Sequence, residues 1–197
     1  MKKTRVLFVI PPLRGDLRAG IRNVKIPLGA AYLAAYLEKN GFFVRIIDSL
    51  AHYDQVKKIG KNMYHVGLDY SEIEKRMKDI KPDIVGINCG YTAYEQDAFE
   101  IADLAKKVNP NCLVVFGGAH SSAKPSSVFK NPNVDLIVYG EGEFTFNEVV
   151  SKYENNEQLV DIEGTIIRGK EGPIKNKPRE FIKNLDELPF PARHLLP

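Results

Sequence analysis

The sequence predicts an α/β fold: a doubly wound, five-stranded parallel sheet with strand order 2-1-3-4-5, followed by a C-terminal hairpin and linker. Three observations predict it. Five short runs, at 5–10, 43–47, 84–88, 113–116 and 136–139, are rich in Val and Ile and hardly alternate. That is the pattern of strands covered on both faces. Segments of helical period separate these runs, and the strand–helix alternation implies right-handed βαβ crossovers in one sheet. The order 2-1-3-4-5 is a common solution for five such strands.

Taken in order, the first strand ends at Pro11-Pro12. Residues 28–38 are apolar nearly all round (Leu28, Ala31, Tyr32, Leu33, Ala35, Tyr36, Leu37), which predicts a deeply packed helix. After the second strand, Ser71-x-x-Glu74 has the form of a capping box with Ile73, Met77 and Ile80 on one face. After the third, Thr92-x-x-Glu95 has the same form, followed by Ala98, Ile101, Ala102 and Ala105. Pro82 and Pro110 stand where helices stop. Phe146, Val149, Val150 and Tyr153 mark the last helix, and the body closes near Asn155, giving a domain over 1–155. Two connections, 11–26 and 49–68, are long enough to suggest function. Beyond the body, 162–168, a Lys170-Glu171-Gly172 turn and 173–176 resemble a hairpin. The run Leu185-Asp186-Glu187-Leu188-Pro189-Phe190-Pro191 has the character of a linker, so 156–197 leads toward a further domain.

Composition narrows the function. The 197 residues carry 28 Lys+Arg against 25 Asp+Glu, a net charge of +3, too mild to argue for nucleic acid or an anionic membrane. Cys89 and Cys112 are the two cysteines, too few for a disulfide framework or an all-cysteine iron–sulfur site. The basic start is followed by only a short apolar run, unlike a signal peptide. No run approaches the roughly 18 apolar residues of a membrane span. A cytoplasmic location is the expectation.

Ligands of open α/β sheets bind beyond the carboxyl ends of the strands. That rim carries Pro12, Leu13 and Arg14 after the first strand and Asp48 after the second. Asn88, Cys89, Gly90, Tyr91 and Thr92 follow the third strand, Gly117, Gly118, Ala119 and His120 the fourth, and Gly140, Glu141 and Gly142 the fifth. Glycine on three edges lets backbone approach a ligand closely. The usual ligands fit poorly. A dinucleotide fingerprint needs G-x-G-x-x-G where the two prolines stand, and Gly15 and Gly20 have P-loop spacing but lack the lysine. Pro-Leu-Arg makes a poor FMN phosphate loop. A receiver domain would need acids where Pro11, Pro12 and Asn88 occur.

Several segments together resemble a known family. They are Pro27-Leu28-Gly29-Ala30-Ala31-Tyr32-Leu33-Ala34-Ala35-Tyr36-Leu37-Glu38, Val85-Gly86-Ile87, Gly117-Gly118-Ala119-His120, Gly140-Glu141-Gly142-Glu143, and the tail Leu185 to Arg193. The chain resembles, over nearly its whole length, the amino-terminal cobalamin-binding domain of B12-dependent radical SAM enzymes. That superfamily includes methyltransferases and the anaerobic magnesium-protoporphyrin ester cyclase. The resemblance implies a flavodoxin-like, B12-binding Rossmann-like fold whose cofactor is cobalamin. The corrinoid lies over the carboxyl edge, its tail in a groove between the fourth and fifth strands. Asn88 to Thr92 match the loop facing the corrin, Gly117-Gly118 the pair beside the tail, Gly140 to Gly142 the closing turn, and Pro11 to Gly15 the first loop.

Two departures qualify it. The Asp-x-His-x-x-Gly of the His-ligated B12 fold is absent after the first strand, so no protein histidine is expected on cobalt. Cys-x-x-x-Cys-x-x-Cys is also absent, so a [4Fe-4S] cluster and S-adenosylmethionine belong to a downstream radical SAM domain, the expected partner. Tyr91 and Tyr94 are candidates to pack on the corrin. Glu141 and Glu143 are expected to cap the last helix, Cys89 to be a small buried hydrophobe, and His52, His65 and His194 to face solvent. Arg14, Arg18 and Arg22 either touch corrinoid amides or lie free. Two rivals stay open: a flavodoxin-like nucleotide-binding protein, and a docking domain that keeps the fold without cobalamin, its carboxyl edge filled by Leu13, Tyr91 and Tyr94.

Overall fold

The structure is a computed structural model that describes residues 3–16 and 25–197. Arg18, Arg22 and Gly20 lie outside the described residues. In chain order the elements are β1 (Arg5–Ile10), β2 (Leu13–Gly15), α1 (Leu28–Lys39), β3 (Phe43–Asp48), β4 (Val56–Lys58), β5 (Tyr64–Val66), α2 (Tyr70–Ile80) and β6 (Ile84–Asn88). There follow α3 (Glu95–Val108), β7 (Leu113–Gly117), α4 (Ala119–Ala123), α5 (Pro125–Val128), β8 (Leu136–Val138), α6 (Glu143–Glu154), β9 (Thr165–Arg168) and β10 (Pro173–Lys175).

The five expected strands pair in parallel as β3-β1-β6-β7-β8, the predicted 2-1-3-4-5 order. The C-terminal hairpin joins the same sheet: β9 runs antiparallel to β8 and β10 to β9. β8 is only three residues long, and β9 satisfies the outer edge it would otherwise expose.

Successive residues of each strand face opposite layers. Val6, Phe8, Ile84, Val115, Leu136 and Val138 meet α1 and α6 on one face. Leu7, Val9, Val85, Ile87, Val114 and Phe116 meet α2 and α3 on the other. The segment after the hairpin folds back on the first face: Ala192 is buried and its N–H donates to the carbonyl of Ala31, while the Arg179 side chain reaches Thr145 and Glu148 on α6.

Local readings differ from the structure at several points. Neither capping box forms. α2 starts at Tyr70 without a side-chain cap, and Glu74 pairs instead with Lys78 and Lys107. Residues Thr92–Tyr94 make a 3-10 turn, and Glu95 turns toward His120. The first turn of α1 is open, with Leu28 and Gly29 exposed, because it borders a cleft. The two long connections pair with each other, β2-β5-β4, as a small antiparallel sheet. That sheet is pinned to the body by Asp97, which is 1 % exposed and accepts from Arg14 Nε (2.6 Å), the Arg14 backbone N–H (3.2 Å) and Tyr70 Oη (2.7 Å). His65 is buried beside it, its Nε2 3.0 Å from the Leu68 carbonyl oxygen, and does not face solvent.

Candidate functional site

At the carboxyl edge a cleft of about 380 Å³ opens between the sheet and the helices α1 and α6. Its origin lies in strand parity. Gly86 and Asn88 on β6, Val115 and Gly117 on β7, and Val138 on β8 share the α1/α6 face, and Gly140 lines the cleft just past the end of β8. Asn88 and Gly117 are register partners. Where bulky residues would continue the core, glycine stops it. A Cβ on Gly117 would meet nothing nearer than the Val138 carbonyl oxygen at 3.9 Å, and one on Gly140 nothing within 4 Å.

The inner wall is apolar. The rings of Phe8 and Phe146 lie 4.9 Å apart and tilted, with Val115, Val138, Ala30 and Leu33 around them. Gly86 is what admits these rings, since a Cβ there would stand 2.6 Å from Phe8 Cδ1 and 3.1 Å from Phe146 Cζ. The mouth is polar, formed by Asn88, Glu141 and Glu143. Burial pushes the Glu143 carboxyl above its ordinary value, against backbone hydrogen bonds at the start of α6. Glu141 does not cap that helix: its Oε2 accepts from the Ile182 backbone N–H at 2.6 Å and holds the returning tail against the edge.

Asn88, Gly117, Gly118, Gly140, Glu141 and Gly142 therefore line the cleft. The other rim residues lie around it. Gly118, at φ +103°, turns the chain under the carbonyl of Cys89. Cys89 is buried, and desolvation pushes its thiol up to about 11, against a hydrogen bond from Ser121, as in a thiol that serves packing. Gly90 is half-buried, and Tyr91 stands 68 % exposed beside Tyr94. Ala119 is exposed at the start of α4. Thr92 Oγ1 is 3.0 Å from His120 Nδ1, and His120 Nε2 is 2.8 Å from Glu95 Oε1, whose other oxygen accepts from Ser127. Both His120 nitrogens are thus spent on holding the 88–92 loop to α3. Pro12 is buried, Leu13 pairs with Val66 in the small sheet, and the Arg14 guanidinium is committed to Asp97. Leu13, Tyr91 and Tyr94 leave the cleft open.

Phe8, Phe146, Val115 and Val138 escape a sequence reading because a wall of a cleft and a wall of a core have the same composition. The one local signal is Gly86, a glycine inside a buried strand, which marks a close approach. Among the described residues no group of three or more His, Cys, Asp or Glu is placed to hold a metal ion, and no helix is long and apolar enough to cross a membrane.

A doubly wound sheet with an apolar, glycine-gated cleft at its carboxyl edge defines a cofactor-holding α/β domain. The chain belongs to the B12-binding domain family, whose model matches residues 16–150. It is a cobalamin-binding module. It is 36% identical over 199 residues to an uncharacterized methyltransferase, PH0819, of Pyrococcus horikoshii, covering 100% of this chain and 40% of that protein. It is 30% identical over 217 residues to the cytidylyl-2-hydroxyethylphosphonate methyltransferase of Streptomyces wedmorensis, covering 98% and 41%. In fold it is similar to the cobalamin-dependent S-adenosylmethionine radical enzyme OxsB with aqua-cobalamin bound. That match has a TM-score of 0.76 at 22% identity and covers 99% of this chain and 25% of that one. The chain thus spans about two-fifths of the length of these two methyltransferases.

Proposed function

We propose that the chain holds a corrinoid over its carboxyl edge for a radical SAM domain that carries the [4Fe-4S] cluster and S-adenosylmethionine, and that the joint reaction is methyl transfer. The bound cobalamin supplies a cobalt centre able to carry a methyl group. The residues of this chain bind and orient it. The observation that carries this reading is the cleft: about 380 Å³, apolar within and polar at its mouth, it suits the nucleotide tail. The loops at 88–92 and 117–120 border that cleft and would hold the ring. Tyr91, exposed at that edge, offers a flat surface to it.

On this reading no protein histidine reaches cobalt. The nitrogens of His120 are both engaged, His65 is buried against Leu68, His194 pairs with Glu38, and His52 ends the 3-10 turn that follows β3. The relatives at 36% and 30% identity carry the name methyltransferase, ahead of a magnesium-protoporphyrin ester cyclase at 28%, which supports methyl transfer over cyclisation.

The test is to incubate the purified chain with hydroxocobalamin, remove excess by gel filtration and record the visible spectrum. Corrinoid co-eluting with the chain, with no signature of imidazole below cobalt, is expected. A folded chain that stays colourless in excess cobalamin overturns the proposal.

A further inference from the structure

We infer that the cleft discriminates among corrinoids by the lower base of the nucleotide tail, accepting a compact apolar bicycle of the benzimidazole class and rejecting a purine. This rests on the placement of the tail proposed above. Phe8, Val115, Val138 and Phe146 present rings and branched aliphatics to the inner cleft, and among the described residues no polar side chain stands between them. Much of the strand backbone behind them is paired. β7 and β8 exchange their hydrogen bonds over Val115↔Leu136 and Phe116↔Ile137, β6 pairs with β7 over Gly86↔Val115, and the Tyr139 N–H donates to the Gly164 carbonyl. The polar side chains, Asn88, Glu141 and Glu143, sit at the mouth, and Glu141 is taken by Ile182.

Benzimidazole and adenine are nearly the same shape, so size does not separate them. Their edges do. The benzo edge of a benzimidazole is hydrocarbon, while the corresponding edge of adenine carries an exocyclic amine and ring nitrogens. Inside this wall those groups lose water and meet no polar side chain of the described residues. An apolar wall rejects a near-isostere with added polar groups by about 10- to 100-fold.

The experiment compares dissociation constants of the full chain for three probes by absorbance titration: cobalamin, the adeninyl cobamide of the same corrin, and cobinamide, which lacks the tail. The Gly117→Val variant is titrated alongside, its fold checked by circular dichroism. Its side chain would project into the cleft, and space for it exists in the apoprotein. The expected result is cobalamin bound tenfold or more tighter than the adeninyl form. Cobinamide should bind weakly to both proteins, and the advantage of cobalamin over cobinamide should vanish in the variant. Equal affinity for the two tailed forms with weak cobinamide overturns the base selectivity but leaves the tail in the cleft. Equal affinity for all three overturns the selectivity together with the placement of the tail. Binding of none overturns the function on which the inference rests.

Discussion

Replacing Gly118 with alanine puts a methyl group where the chain has no room for one. Gly118 sits at φ +103° and ψ 170°, backbone territory that L residues avoid, at a cost of about 1–3 kcal/mol. The new Cβ would stand 2.8 Å from the Cys89 carbonyl oxygen, 2.9 Å from its carbon and 2.9 Å from Asn88 Oδ1. The Asn88 side chain can rotate away. The Cys89 carbonyl cannot easily do so, because the Cys89 N–H is tied to the Gly117 carbonyl oxygen at 2.8 Å and the side chain is buried. Overpacking of this kind adds about 1–3 kcal/mol. A mid-range total of about 4 kcal/mol lowers the melting temperature of a chain this size by roughly 8–16 °C. Gly117→Ala is the control: its Cβ meets only the Val138 carbonyl oxygen at 3.9 Å and its φ is ordinary, so its stability should stay within about 1 kcal/mol of the parent. Thermal and urea unfolding of both variants, with the urea m-value checked for constancy, measures the difference. The reasoning is refuted if Gly118→Ala melts within about 2 °C of the parent, or if Gly117→Ala falls as far as its neighbour.

Asp97→Asn breaks the anchor of the small sheet. The expected loss is about 2 kcal/mol, below the full value for a buried pair because Arg14 is partly solvated, with faster amide exchange confined to 13–15, 56–58 and 64–66; uniform loss of protection would contradict the role. Burial pushes the thiols of Cys89 and Cys112 up to about 11 and about 12, so neither should react with a disulfide reagent at pH 8 until urea unfolds the chain. Their folded values exceed the unfolded ones. The stability they contribute is therefore full below about pH 8.5 and is lost as pH rises through 11–12, and melting curves from pH 8 to 11 should fall accordingly. Glu143 is raised by the same cause, so its contribution is full below its unfolded value and declines as it ionises in the cleft. Glu143→Gln should melt higher than the parent at pH 7 and alike near pH 4; a lower melting point at pH 7 would sink that account.

The parts of the fold that were legible are those whose signal is local. A strand such as Ile84–Asn88 is recognisable because burial on both faces demands an unbroken apolar run, and α2 because Ile73 and Met77 fall on one buried stripe. The small sheet left no such trace. Its strands are three residues each, and β2 finds its partner β5 some fifty residues away, so neither segment shows the pairing by itself. The capping boxes failed for a related reason. Glu95 could bond its own helix start, but His120 and Ser127, brought in from β7 onward, offer it two partners at once.

The candidate site was half legible in the same sense. Its rim was visible as glycines after strands, but the glycines did not declare their different tasks. Gly117 and Gly118 are adjacent, so their positions face opposite ways. Gly117 shares the parity of Val115 and stands opposite Asn88, so its missing side chain opens the α1/α6 face. Gly118 has the other parity and a backbone angle that only glycine takes easily, so its missing side chain serves the turn. Applied across the sheet, the same parity puts Gly86 and Gly117 on one face of neighbouring strands, and Gly140 follows just beyond β8 at the same cleft. The open space beside Gly117 and Gly140, against the space at Gly86 that the rings of Phe8 and Phe146 fill, is what separates a cleft from a core built of the same Phe, Val and Leu. That pattern becomes readable only once the strand register is known.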